Sequence, residues 1–243
     1  MTGADGSRVE VVLFDLDDTI FDHRRSVELG ITAHRATLGD EARTADAAAE
    51  FARWNALEEQ HYHRYLAGEL DFQGQRRARA RGFVEPYGVE LDDDAADLWF
   101  ETYLVEYRKT WTLHADVLPM FDALAPARFG VVTNGDLEFQ QSKMMATGLL
   151  DVMEFVIASG SVGVAKPDAA IFRHACELFE VPPAQACYVG DRLQTDAIGA
   201  SAAGLLGVWL DRRGLATEAE LAAAAAASVP VIRTLAQLPA LLR

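Results

Sequence analysis

The sequence predicts an α/β protein: a doubly wound parallel sheet with an all-helical insert after its first strand. Three observations carry that expectation. Val11–Val12–Leu13–Phe14 is an apolar run that enters an acidic cluster, Asp15–Leu16–Asp17–Asp18, and an unbroken run of this kind reads as a strand buried on both faces. From Arg24 to Trp111 the chain is rich in Ala, Glu, Arg and Leu at helical spacing and shows no convincing strand. From Phe129 onward strand-like runs alternate with helical stretches, the grammar of a parallel sheet.

The first strand places Asp15 at its end, the edge where open α/β sheets hold their ligands. Asp17 can point to the same side, because strand side chains alternate with a period of two. Carboxylates this close repel each other, which favours a bound cation or a raised pKa on one of them. An all-oxygen cluster suits Mg²⁺.

In the insert, Phe51, Trp54, Leu57, His61 and Tyr65 step by three or four along one face. Leu98, Tyr103, Val105 and Tyr107 form a second apolar set after a helix start at Asp92–Asp94. Gly68, Gly74, Gly82 and Gly88 divide the region into about four helices.

Beyond it, the strand candidates are Phe129–Thr133, Phe155–Ala158, Ala186–Gly190, Gly207–Leu210 and Val229–Ile232. Helices are expected near Asp116–Ala125, Glu138–Thr147, Asp168–Phe179, Asp196–Ala203 and Thr217–Ala226. A last one, Thr234–Leu242, opens with Thr234 and Gln237 in capping-box spacing. The expected division is residues 1–22 and 115–243 for the sheet domain and 23–114 for the insert. Crossings near Phe21–His23 and His114–Pro119 would make a hinge, with the insert over the sheet edge that carries Asp15.

The 243 residues are half hydrophobic, enough for a substantial core. A net charge of −15, from 37 acidic and 22 basic residues, argues against a nucleic-acid polymer as partner, since affinity for its backbone comes from Lys and Arg. No apolar run approaches membrane-spanning length, and Met1–Arg8 is polar, so a cytoplasmic protein without a membrane partner is expected. The two cysteines, Cys176 and Cys187, lack metal-ligand spacing and read as buried thiols.

Three further signals fall at or after strand ends. Val132–Thr133–Asn134–Gly135 offers a hydroxyl and backbone N–H groups suited to phosphate oxygens, although Asn-Gly is also an ordinary turn signal. Lys166 precedes Pro167, which suits the first turn of a helix, and its ammonium could sit among the carboxylates. An exposed loop lysine is the commoner fate. Gly190–Asp191 repeats the pattern of Asp15, and Asp196 follows, with helix N-capping as its alternative.

In this order the motifs Asp15-x-Asp17-x-Thr19, Thr133, Lys166 and Gly190–Asp191 with Asp196 resemble the haloacid dehalogenase superfamily of phosphohydrolases. Thr133–Gly135, Gly148–Leu149, Ser159–Phe172 and Gly190–Trp209 are most similar to the subgroup of house-cleaning 5′-nucleotidases and N-acylneuraminate-9-phosphatase. The resemblance implies a Rossmann-like core with a helical C1-type cap. It further implies that Asp15 is the nucleophile that forms an aspartyl-phosphate. Asp17 would be the acid and base, a task that calls for a raised pKa. Mg²⁺ would be held by Asp15, the Asp17 carbonyl and Asp191. Asp196 and Thr19 would support these groups from behind, while Thr133, the Asn134 N–H and Lys166 would bind the phosphate.

The expected activity is Mg²⁺-dependent hydrolysis of a small phosphorylated metabolite, with a nucleoside monophosphate leading. Sugar phosphates, phosphoglycolate and N-acylneuraminate-9-phosphate are alternatives, as are phosphomutase chemistry, dehalogenation and a non-catalytic binding role. Asp17 favours phosphate over halide, because a halide leaves without a proton. Substrate choice falls to the cap. There Gln75–Arg81 is the basic cluster, read as a solvated face or an anion-greeting patch. Trp54, Trp99 and Trp111 read as packing between cap and core, with stacking on a base as the alternative.

Overall fold

The computed structural model describes Arg8–Leu242. The chain forms two compact units, Met1–Asp22 with Thr112–Arg243, and His23–Trp111. Asp22 N–H donates to Thr112 O at 2.9 Å and Phe21 bridges Leu113, which ties residues 112 and 113 to the first unit.

Strand β1 (Val11–Phe14) comes first. The helical unit follows, with α1 (His23–Arg35), α2 (Asp40–Thr44), α3 (Ala47–Leu66), α4 (Phe72–Val84) and α5 (Asp93–Arg108). The first unit resumes with α6 (Val117–Leu124), β2 (Arg128–Thr133), α7 (Leu137–Ala146), β3 (Phe155–Ala158), α8 (Ser159–Val162), α9 (Ala169–Leu178) and β4 (Ala186–Gly190). A wide-turned helical stretch, Leu193–Ile198, runs into α10 (Gly199–Ala202). Then come β5 (Leu206–Leu210), α11 (Glu218–Ala226), β6 (Val231–Ile232) and α12 (Leu238–Leu241).

The sheet is six-stranded, in the order β3-β2-β1-β4-β5-β6, and every pairing is parallel. This is the α/β doubly wound architecture that the strand–helix alternation predicts. All four residues of β1 are fully buried, as expected of a central strand covered on both faces. Strand order reverses between β1 and β4, so the crevice at their carboxyl ends is the topological switch point. On one face Phe14 packs edge-on to Phe121 of α6, 5.7 Å between centroids. On the other, Leu13 and Tyr188 lie in a cluster with Phe172, Ala175 and Phe179 of the α9 region.

Strand β6 is shorter than its expected range, because Pro230 has no N–H and serves only as acceptor for Trp209 N–H. The Thr234–Gln237 capping box forms, over a 3₁₀ turn that leads into α12.

The helical unit buries Trp54 completely, with Tyr103, Phe83 and Trp99 at centroid distances of 4.8, 5.4 and 5.6 Å. The apolar stripe of α5 is Ala96, Trp99, Phe100, Tyr103, Leu104 and Tyr107. Leu98 and Val105, expected in that stripe, are exposed, since they lie one position off the three-and-four step that joins the aromatics. The basic cluster of α4 is partly exposed, and its Arg77 and Arg81 are paired with acids of α5. Arg77 pairs with Asp97 at 2.5 Å and with Asp93 at 2.9 Å, and Arg81 also pairs with Asp93, which stitches α4 to α5. Cys176 and Cys187 are buried and free.

Candidate active site

Three parallel strands deliver the predicted residues to the sheet's carboxyl edge. Asp15 follows β1 and continues its ladder, donating its N–H to Val189 O at 2.9 Å. Thr133 ends β2, and Asp191 follows Gly190 at the end of β4. Asp15, Asp191 and Asp196 each offer a carboxylate oxygen within 4.8 Å of the others. One cation lies among them. Lys166 Nζ donates to Asp15 Oδ1, Asp196 Oδ1 and Tyr188 Oη, each at 2.7 Å, so all three ammonium protons are engaged. Its side chain is 2% exposed, which makes it a buried charge that exists only because it is paired.

One lysine does not balance three carboxylates. Burial pushes the Asp15 carboxyl up to about 6, against the pull of Lys166 and with a further push from Asp196. Asp191 is raised well above the usual carboxylate range by burial, then by Asp15 and Asp196. Burial disfavours the charge on Lys166, yet Asp15 and Asp196 hold it well above its ordinary value. Hard, crowded oxygen donors with an excess of negative charge fit Mg²⁺. Asp196 is already committed, with Oδ1 on Lys166 and Oδ2 accepting Arg192 N–H at 2.9 Å. It lies inside the wide-turned helix after Arg192 rather than capping it. Gly190 makes room for it, since a Cβ there would come within 2.4 Å of the Asp196 side chain.

Asp17 stands near enough to Asp15 to help push its carboxyl up. It also has partners the sequence did not announce: Lys143 Nζ donates to Oδ1 at 2.7 Å and Gln140 Nε2 to Oδ2 at 2.9 Å. Thr19 is fully buried, with its hydroxyl 3.5 Å from Asp15 Oδ2 and its carbonyl accepting from Arg212 at 2.6 Å. Asn134 and Lys166 lock to each other: Lys166 N–H donates to Asn134 Oδ1 at 2.8 Å, and Asn134 Nδ2 donates to Lys166 O at 3.0 Å. Pro167 lies ahead of the helix rather than in its first turn, and Asp168 is the cap of α9.

The residues missed by sequence reading are Tyr188, Gln140 and Lys143. Tyr188 reads as strand core, and its hydroxyl, which donates to Val132 O at 3.0 Å, gives no sequence signal. Gln140 and Lys143 share a face of α7 at i, i+3 spacing, which alone is indistinguishable from a solvated face. The turn reading of Asn134–Gly135 concealed the reason for the glycine. A Cβ on Gly135 would lie 2.4 Å from Gln140 Nε2, so the glycine admits Gln140 to Thr133 and Asp17.

The parallel sheet carries an acidic switch point crossed by a buried lysine, an arrangement suited to a cation and a phosphate, and comparison with known proteins names the family. The profile of the haloacid dehalogenase-like hydrolases matches residues 9–204. The chain belongs to that family. It is 28% identical over 216 residues to N-acylneuraminate-9-phosphatase of Rattus norvegicus, covering 86% of this chain and 85% of the relative. It is 38% identical over 86 residues to pyrimidine 5′-nucleotidase YjjG of Escherichia coli, a match spanning 35% of this chain and 38% of the relative. The HAD-hydrolase YfnB of Bacillus subtilis, solved bound to magnesium, shares the fold: its TM-score is 0.78 at 20% identity, covering 98% of this chain and all of that one.

Proposed function

We propose that the protein is a Mg²⁺-dependent phosphatase of the cytoplasm that hydrolyses a small phosphomonoester through an aspartyl-phosphate. The observation that carries this is the convergence of Asp15, Asp191 and Asp196 around buried Lys166 at the switch point. Asp15, the Asp17 carbonyl and Asp191 would hold the cation, which would neutralise charge on the bound phosphate. Asp15 attacks phosphorus, and Asp17 protonates the leaving oxygen and later takes a proton from water. Thr133 Oγ1 accepts N–H groups from Gly135 and Gln140 at 3.0 and 3.1 Å, which directs its own proton to a phosphate oxygen. The Asn134 N–H and Lys166 complete the charge balance of the transferring group. Asp196 and Tyr188 fix Lys166, and Thr19 backs Asp15.

The helical insert is assigned the role of substrate-selecting cap. A nucleoside monophosphate is the leading substrate, as the name of YjjG suggests. The longer alignment with N-acylneuraminate-9-phosphatase supports a sugar-acid phosphate as the second reading. Dehalogenation is disfavoured because Asp17, which a halide would not need, is served by two dedicated donors.

The test is phosphate release from pyrimidine and purine monophosphates, sugar phosphates, phosphoglycolate and an aryl phosphate, with Mg²⁺ and after chelation. Mg²⁺-dependent release, lost in Asp15→Asn, is the expected result. Full activity in that variant would overturn the mechanism.

A further inference from the structure

We infer that Lys143 and Gln140 are positioning residues that aim the Asp17 carboxyl at the leaving group. The inference rests on the phosphatase reading and adds to it a pair of residues from α7. Lys143 is 2% exposed, with its ammonium 5.1 Å from the ring centroids of both Phe21 and Phe139. A lysine is buried this deeply only when a partner offsets the lost hydration. Its partner is Asp17, whose side chain stays 31% exposed. The cation is thus the hidden member of the pair, and the carboxyl keeps an open side. Gln140 approaches the other oxygen and spans from Asp17 to Thr133 Oγ1, and its entry depends on the missing Cβ of Gly135. Two donors on two oxygens leave a carboxyl one orientation, where a single donor would let it swing.

Such fixation matters in one step above all. As the Asp15 oxygen bonds to phosphorus, the bond from phosphorus to the leaving oxygen breaks, and that oxygen takes the Asp17 proton and departs as an alcohol. A poor leaving group needs the proton in place as the bond breaks. A nitrophenolate leaves without it. A pair that only held the loop after β1 in place would affect both substrates alike, because both use the same nucleophile and the same phosphate site.

The experiment measures kcat/KM, which reports steps up to departure of the leaving group, for a nucleoside monophosphate and for nitrophenyl phosphate with Mg²⁺ saturating. General acid catalysis contributes a factor of about 10²–10⁴. Lys143→Met is therefore expected to lose about a hundredfold on the nucleotide and no more than about threefold on the aryl ester. Gln140→Leu, which keeps the ion pair, should show the same selectivity at a smaller scale and serves if Lys143→Met does not fold. Adding Lys143→Met to Asp17→Asn should cost nothing further, because the lysine acts only through that carboxyl. Equal losses on both substrates in folded variants, or additive losses with Asp17→Asn, would overturn the inference. A wild-type protein that releases phosphate from neither ester would overturn the phosphatase reading instead.

Discussion

The two compact units handle charge in opposite ways. In the helical unit the cations are matched: Arg77 and Arg81 of α4 meet Asp93 and Asp97 of α5, and Arg79 lies over the Trp54 ring while pairing with Glu58 at 2.8 Å. At the sheet edge of the first unit, Lys166 pairs with Asp15 and Asp196 while Asp191 crowds against both, and burial with like charge keeps Asp15 and Asp191 raised. Matched charge stabilises a bundle modestly and does no chemistry. Unmatched charge costs stability, and it is what makes a site able to take up a cation and a phosphate.

The contrast can be broken most sharply at its nucleophile. Asp15→Asn is expected to cut phosphate release by about a thousandfold or more, while the midpoint of urea unfolding in chelator holds or rises, since a crowded charge has gone. In the helical unit the counterpart is Trp54→Ala. The loss of a fully buried indole should destabilise that unit by about 4 kcal/mol, read by denaturant unfolding.

Acid separates the units next. His34 is buried edge-on to Trp99, 4.5 Å between centroids, and burial lowers its pKa from 6.5 to about 4, against a small opposing pull from Glu106. A base depressed in the folded state favours folding fully above pH 6.5, and the stability it supports is lost as pH falls from there towards 4. The loss is on the order of 3 kcal/mol. Asp15 has the opposite sign: a carboxyl raised to about 6 by burial weakens folding above that pH and regains stability as pH falls towards its unfolded value. Hydrogen exchange in chelator between pH 7 and 4.5, corrected for intrinsic rates, should show protection falling in α1 and α5 and rising in β1. His34→Leu should flatten the first trend alone.

The smallest effect is expected at the matched surface. Arg77→Ala should leave activity on the aryl phosphate and the melting temperature almost unchanged, because exposed pairs are screened and replaced by water. A large fall in melting temperature would show that the α4–α5 pairs act as a network.

The sequence by itself determined the sheet, its interruption and the residues at its edge. Unbroken apolar runs such as Val11–Phe14 have one stable environment, the middle of a parallel sheet. A charged residue directly after such a run, as at Asp15 and Asp191, must emerge at the carboxyl end. Those inferences need only local pattern and the geometry of a strand. The helical character of the insert and the start of α5 were legible, but the divisions were not. Gly74 and Gly82, read as breaks, lie inside α4, and the insert holds five α-helices rather than about four. Nor was the buried face of α5 legible, because Leu98 and Val105 are as apolar as the residues that face inward.

Only the tertiary structure decided which charges meet. Lys143 reaches Asp17 across 126 positions, Lys166 reaches Asp15 across 151, and Asn134 grips the backbone of Lys166 across 32. Pairings at such separations leave no periodic trace, because the chain that joins the partners is free to vary. For the same reason the lysine that meets Asp17, a carboxylate that also repels Asp15, could not be read from the pattern. Side-chain alternation says which way a carboxylate points, and only the packed helix says what it meets.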